Sequence, residues 1–301
     1  MTPLPTILDR LSADQVVLLD GGTGTELQRR GVSTTLPLWS AQALVSAPDV
    51  VRAIHRDYIR AGADIIKTNT FRSNQRTLAK AGLGARDAEL TALAVRLARE
   101  AVAQADVDRP IVVAGSQAPL EDCYQPQSVP DDAATLAEHR RWSKTLADGG
   151  VDFIFLETFN TVREARLALQ AARETGLPAV ISFVCDSHSQ LLSGESLAEA
   201  VTAVEPLKPF AILVNCMQPQ DITAALRTLR GLTRLPIGGY GQGIGEPHAD
   251  QGWQFAGQRQ NDIQTYCNHV GAWLELGATL VGGCCGTNPQ YIEALQRFST
   301  H

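Results

Sequence analysis

A single (β/α)8 (TIM) barrel occupying residues 1–301 is the fold this sequence predicts, and three observations predict it. Eight short apolar runs recur along the chain, nearly all separated by helical segments, with no linker or break in composition. The runs are almost continuously apolar, as in strands buried on both faces, which implies a parallel sheet. Their C-terminal ends, by contrast, carry Asp20, Thr68, Ser116, Glu157, Ser182, Asn215-Cys216, Tyr240 and Cys284-Cys285. That is the rim on which barrels of this class place their function. A doubly wound open sheet is the alternative, but eight such units would ordinarily bring a second domain.

The elements follow in order. Val16–Leu19 is the first strand, ending in the glycine-rich turn Asp20-Gly21-Gly22-Thr23-Gly24-Thr25-Glu26. This turn has neither the Gly-Lys-Ser/Thr of a phosphate loop nor a dinucleotide fingerprint. It reads instead as bare backbone N–H groups facing a small anionic ligand, with Asp20 beside them for a cation, or more simply as a tight turn with Asp20 as a cap. Pro48 to Gly62 shows helical spacing of Val51, Ile54, Tyr58 and Ile59, and leads to the strand Asp64–Lys67. Arg86–Gln104 is an amphipathic helix before the third strand, Ile111–Ala114. The polar, proline-bearing stretch Gln117–Pro130 reads as a cover over the rim. A helix over Asp131–Ala147 and the strand Asp152–Leu156 follow. Capping boxes are expected at Thr161/Glu164 and Ser196/Glu199. Strands five to eight are Ala179–Ile181, Ala211–Asn215, Pro236–Gly239 and Ala278–Val281, and Asn288-Pro289 caps the last helix.

Hydrophobic content of 44% and charged content of 19% are those of a soluble globular chain. A net charge of −6 offers no footprint for nucleic acid or an acidic membrane, so the expected partners are small molecules. The N-terminus lacks the features of a signal peptide, and no uncharged apolar run approaches the ~20 residues of a membrane span. Reduced thiols in such a chain point to the cytoplasm.

Three of the six cysteines carry the chemistry. Cys284 and Cys285 are adjacent and framed by Gly282-Gly283 and Gly286, and Cys216 ends another strand. Three thiols with one vacant corner is the ligand count of a catalytic rather than a structural zinc. Buried thiols acting as small hydrophobes, or a strained redox disulfide between the adjacent pair, are the competing readings.

The stretches Asp20–Leu27, Thr68-Asn69-Thr70-Phe71, Asp152–Thr158, Asn215-Cys216 and Gly282–Thr287 together resemble the homocysteine S-methyltransferase family over nearly the whole chain. The resemblance implies a zinc-dependent, cobalamin-independent barrel with Cys216, Cys284 and Cys285 as metal ligands. It also implies that Asp20 and Glu157 hold the amino group of homocysteine, with N–H groups near Gly21 and Gly22 for its carboxylate and Asn215 within the substrate site. The implied reaction is transfer of a methyl group to the homocysteine thiol, giving methionine, a step of methionine biosynthesis. No protein nucleophile or general base is needed, because coordination deprotonates a thiol whose free pKa is near ~8.5.

A sulfonium donor is expected, S-methylmethionine ahead of S-adenosylmethionine. One barrel has no room for cobalamin modules. An aromatic content of 6% and Arg72 after Phe71 argue against the aromatic pocket that a betaine donor requires. The chain departs from the sulfonium-using pattern at Gly115–Tyr124, which lacks Gly-Pro-Tyr-Gly, and at Tyr240–Glu246. Another donor or thiol acceptor in the same family, zinc-assisted hydrolysis, and a thiol or zinc sensor without catalysis are the rival functions. Cys123, Cys185 and Cys267 are left without a role, and of the histidines only His188 and His248 lie near the rim.

Overall fold

The computed structural model describes residues 3–248, 252–255 and 262–299. Seven parallel strands come first: β1 (Val17–Leu18), β2 (Ile65–Lys67), β3 (Val112–Gln117), β4 (Phe153–Phe159), β5 (Ala179–Phe183), β6 (Ile212–Asn215) and β7 (Ile237–Gly241). A two-stranded hairpin, β8 (Glu246–His248) and β9 (Gly252–Gln254), precedes the last barrel strand, β10 (Ala278–Gly283). The barrel order is β1-β10-β7-β6-β5-β4-β3-β2, all parallel, and a parallel bridge between Leu19 and Ile65 closes β2 back onto β1. The fold class read from the sequence is therefore the one found.

Strand residues alternate between two cores, as the period of two requires. Val17, Leu19, Ile65, Val112, Ala114, Phe153, Phe155, Val180, Leu213, Tyr240 and Leu280 fill the barrel interior. Leu18, Ile66, Val113, Ile154, Ile181, Val214 and Val281 pack outward under the helices. A short N-terminal helix, α1 (Leu4–Ser12), sends Leu4, Ile7 and Leu11 into the interior cluster and plugs the end opposite the rim. This helix is additional to the eight β/α units expected, although its three-and-four spacing is helical.

Other differences are local. Strands β3 and β4 outrun their apolar segments because Ser116 and Gln117 still pair with Phe155 and Leu156, and Phe159 with Phe183. The capping box at Ser196 and Glu199 is complete. At Thr161 only half of it forms: the hydroxyl accepts the Glu164 N–H at 3.2 Å. The Glu164 carboxylate turns instead to the Leu120 N–H at 2.8 Å and to His139 Nε2 at 3.1 Å, tying the cover segment to β4's helix. No described helix is long and apolar enough to cross a membrane.

Candidate metal and thiol site

Cys216 follows β6 and Cys284-Cys285 follow β10, with β7 lying between the two strands. Their three sulfurs lie within 4.8 Å of one another. Local strain aims one of them: Cys216 has φ +57°, a conformation a non-glycine residue holds only when its surroundings impose it. Those surroundings are the Tyr240 carbonyl, accepting the Cys216 N–H at 3.1 Å, and Gln242 Nε2, donating to the Cys216 carbonyl at 3.0 Å. The Cys284 N–H donates to Gly241 O at 2.8 Å, and the Cys285 carbonyl accepts from Gly243 N–H at 2.8 Å. Hydrogen bonds from Cys284 and Cys285 hold the Cys216 thiol well below its ordinary range, and the same contacts push those two upward.

The thiol loop is also clamped by the first strand's turn and the helix after it, α2 (Thr23–Arg29). Thr25 Oγ1 accepts the Gly286 N–H at 3.1 Å, and Arg29 donates to the carbonyls of Gly286 at 2.7 Å and Thr287 at 2.9 Å. Gly22 N–H reaches Thr287 Oγ1 at 3.2 Å. The approach is so close that a Cβ on Gly22 would stand 2.6 Å from the Cys284 carbonyl oxygen.

Next to the sulfurs lies an ion triad in which the sequence reading missed one member. Lys67, the last residue of β2, is 8% exposed, and its Nζ sits 3.5 Å from Asp20 Oδ1 and 3.3 Å from Glu157 Oε2. Asp20 Oδ2 accepts the Lys67 backbone N–H at 2.8 Å, so this carboxylate stands in for a ladder carbonyl at the barrel seam. Glu157 also accepts from Ser116 Oγ and, at 3.1 Å, from the Tyr240 hydroxyl. Burial raises the Asp20 pKa to about 6 against the lowering effect of Lys67. For Lys67, burial works against the charge, but Glu157, Asp20 and Cys284 outweigh it and the ammonium titrates above its usual range.

These groups open on a cavity of about 470 Å³. Of the residues expected at substrate, Gly21, Gly22 and Glu157 are on its wall with all three cysteines, whereas Asp20 and Asn215 are not. Asp20 is fully buried behind Lys67. Asn215 is fully buried and holds Thr158, a β-branched residue at φ +64°, which itself lines the cavity. It accepts the Thr158 N–H at 3.1 Å, donates to its hydroxyl at 2.8 Å, and accepts from Ser182 Oγ at 2.6 Å. Both thus stand one layer behind the wall, each held against a residue that lines it.

The cover segment does close over the rim. Asp122, Cys123, Tyr124 and Gln125 line the cavity, and the Tyr124 hydroxyl lies 3.3 Å from Cys216 Sγ. Asn160 Nδ2 anchors the segment through the Cys123 carbonyl at 2.8 Å. The hairpin β8–β9 contributes Pro247, His248, Gly252 and Trp253 to the opposite wall. With Trp39, Phe71 and Tyr124 these make an aromatic-walled space, which a chain-wide aromatic content of 6% did not foreshadow. Arg72 also faces the cavity, 3.7 Å from Asp122. Of the leftover thiols only Cys123 reaches the wall; Cys185 is buried apart from the cluster, its pKa pushed up to about 12 by burial, and Cys267 packs in a helix. His188 points to solvent.

Three thiols from two strand ends, on a cavity wall beside an ion triad, define the class: a barrel with a cysteine-rich site that could hold a metal ion. The donor set suits a soft or borderline cation, and among the described residues it is the one group of three or more His, Cys, Asp or Glu side chains close enough to share an ion.

The chain matches the homocysteine S-methyltransferase family over residues 17–299 and belongs to it. It is 33% identical to a selenocysteine methyltransferase of Astragalus bisulcatus, over 97% of this chain and 95% of that one. It is 32% identical to the homocysteine S-methyltransferase of Escherichia coli K12, over 98% and 97%. The crystal structure of the metallated Escherichia coli homocysteine methyltransferase MmuM superposes with a TM-score of 0.82 at 30% identity, covering 99% of this chain and all of that one. The chain is accordingly a methyltransferase.

Proposed function

We propose that this protein transfers a methyl group from a sulfonium donor, S-methylmethionine ahead of S-adenosylmethionine, to the thiol of L-homocysteine, with zinc on Cys216, Cys284 and Cys285. The convergence of three free thiols on a wall shared with Glu157 and Lys67 carries this reading. Zinc held there would keep one position for a thiol and lower its pKa below neutrality.

The rest of the work falls to the chain. Glu157 and Lys67 grip the amino-acid end of the acceptor, so that its sulfur is presented at the cysteine cluster rather than tumbling in the cavity. Trp39, Tyr124 and Trp253 line the space that an onium centre would take, the cation that both sulfonium and betaine donors carry, while the Phe71 ring already has the Arg72 guanidinium over it at 5.9 Å. Arg72 suits a donor carboxylate. The cover segment and the β8–β9 hairpin keep bulk water from the methyl group. The acceptor sulfur then takes the methyl in line, the sulfonium S–C bond breaks, and its electron pair returns to the donor sulfur as a neutral thioether. From S-methylmethionine this gives two methionines. Asp20 acts through Lys67, and Asn215 through Thr158. Similarity to a selenocysteine methyltransferase supports a second acceptor, the selenol, which the same arrangement would serve.

The test is product formation by zinc-loaded protein, with S-methylmethionine, S-adenosylmethionine and betaine as separate donors and homocysteine or selenocysteine as acceptor. Methionine from one sulfonium, abolished in Cys284→Ala, is the expected result. Turnover with betaine alone would overturn the donor assignment, and zinc binding without transfer to either acceptor would overturn the reaction.

A further inference from the structure

Two carboxylates beside a thiol centre invite the assumption that they read an acceptor's amino group. Here they already have an ammonium. Asp20 has no exposed surface, and both its oxygens face Lys67, one the backbone N–H at 2.8 Å and the other Nζ at 3.5 Å. Glu157 is almost fully engaged too: Oε2 accepts from Tyr240 and Lys67, and Oε1 from Ser116. A carboxylate oxygen has about two acceptor directions, so Glu157 keeps one for a newcomer. An incoming ammonium would compete for it against Lys67, like charge beside like charge, at a buried wall where screening is weak.

Lys67 is placed the other way. Its Nζ has three donors, and its two carboxylate contacts, at 3.3 and 3.5 Å, are longer than the ~2.7–2.9 Å of a tight charge-assisted bond. Among the described residues no third acid pairs with it, and it lines the cavity together with Cys284. The ring of Tyr240, part of the barrel interior and not of the cavity lining, lies 4.1 Å from Nζ and holds the ammonium from that side.

We propose that Lys67 is the specificity-determining residue of the acceptor site: its ammonium fills the space between Asp20 and Glu157 and binds the acceptor's carboxylate. The acceptors selected are thus thiols bearing a carboxylate, for which the α-amino group is secondary. This deepens the proposed methyl transfer to a thiol and rests on it for where the sulfur sits.

Three thiols of matched length separate the contributions. L-homocysteine carries both groups, 4-mercaptobutanoate lacks the amino group, and 3-mercaptopropylamine lacks the carboxylate. Their dissociation constants are measured by calorimetry on zinc-loaded protein; the sulfur contact is common to all three and cancels. Loss of the carboxylate is expected to weaken binding at least tenfold more than loss of the amino group, and Lys67→Met is expected to erase that difference.

Lys67→Met alone leaves two buried carboxylates facing each other. Asp20→Asn/Lys67→Met therefore serves as the second variant: it keeps the net −1 of the triad and carries the same expectation. Tighter binding of the amine than of the acid by the unsubstituted protein would overturn the proposal. So would a folded Lys67→Met, or the double variant, that still prefers the acid. If the binding order holds while no methionine forms with any donor, the Lys67 assignment stands and the methyl-transfer reading falls.

Discussion

Gly22→Ala is the smallest change that should reach the sulfurs without touching one. Gly22 has φ −74° and ψ 102°, which alanine adopts freely, so backbone strain does not enter. The added Cβ would meet the Cys284 carbonyl oxygen at 2.6 Å and Thr25 Oγ1 at 2.7 Å. Relief requires the Cys284 carbonyl to retreat by roughly 0.9 Å, since unstrained carbon contacts lie at ~3.5 Å and beyond. The loop cannot give way easily, because Thr25, Arg29 and Gly241 hold it on three sides. Overpacking of this kind costs about 1–3 kcal/mol. Disturbing the groups that orient a metal's ligands typically costs ~10–100-fold in affinity, which is the same energy expressed at the metal.

Zinc affinity is read by competition with a chromophoric chelator, and stability by urea unfolding of the metal-free form. Gly31→Ala is the control: at φ +76° with nothing within 4 Å, it should cost ~1 kcal/mol of stability and leave zinc binding alone. Gly22→Ala is expected to lose at least tenfold in zinc affinity. Unchanged affinity in the folded variant would refute the coupling between the first turn and the thiol loop.

Two further outcomes follow from buried groups. His55 is fully buried, and burial lowers its pKa to about 4; neither ring nitrogen has a hydrogen-bond partner among the described residues. The folded state therefore refuses a proton the unfolded chain accepts, and stability is lost as pH falls from about 6.5 towards 4. Asp20, raised to about 6, has the opposite sign: its contribution is full near pH 4 and lost as pH rises to about 6. Each is on the order of 3 kcal/mol, so they largely cancel. Relative to the parent protein, His55→Leu should then lose stability as pH rises from about 4 to 6, measured by urea unfolding at fixed pH. Identical profiles would contradict the assignment. Asn215→Ala strands the Thr158 N–H and the Ser182 hydroxyl and releases a strained residue from the wall. A loss of about 2–4 kcal/mol is expected in the same unfolding assay, with a smaller loss for Asn215→Asp, which keeps the acceptor oxygen.

The features legible in the sequence were those with a short-range signature. Strands such as Phe153–Phe155 and Val112-Val113-Ala114 are buried on both sides and so read as unbroken apolar runs, and the barrel follows from counting them. Cys284-Cys285 stood out because glycines frame it. Lys67 did not, since a lysine ending a strand usually snorkels to solvent; only closure of β1 against β2 brings up Asp20, and only the inward-facing side chain of β4, two strands away, brings up Glu157. The aromatic wall was equally hidden. Trp39, Phe71, Tyr124 and Trp253 come from four different connections, and no periodicity links them. Asp20 and Asn215 were legible as polar strand ends, but not their burial behind Lys67 and Thr158, because sequence shows that a strand end is polar without showing which way its side chain is packed.

Strand β1 is a two-residue strand whose neighbours are the second and the last strands of the barrel. Its turn and α2 hold the loop that carries Cys284 and Cys285, so the opening and closing stretches of the chain are parts of one device. During synthesis the first turn emerges long before the strand it must clamp exists. The partly made chain therefore carries an unclosed barrel with exposed edges on β1 and on the newest strand, the kind of surface that recruits chaperones or aggregates. Contacts spanning more than 250 residues, such as Arg29 with Thr287, also make final closure slow for topological reasons. The three sulfurs themselves meet once β6 and β10 both flank β7, and that same docking of β10 gives the first turn the loop it clamps.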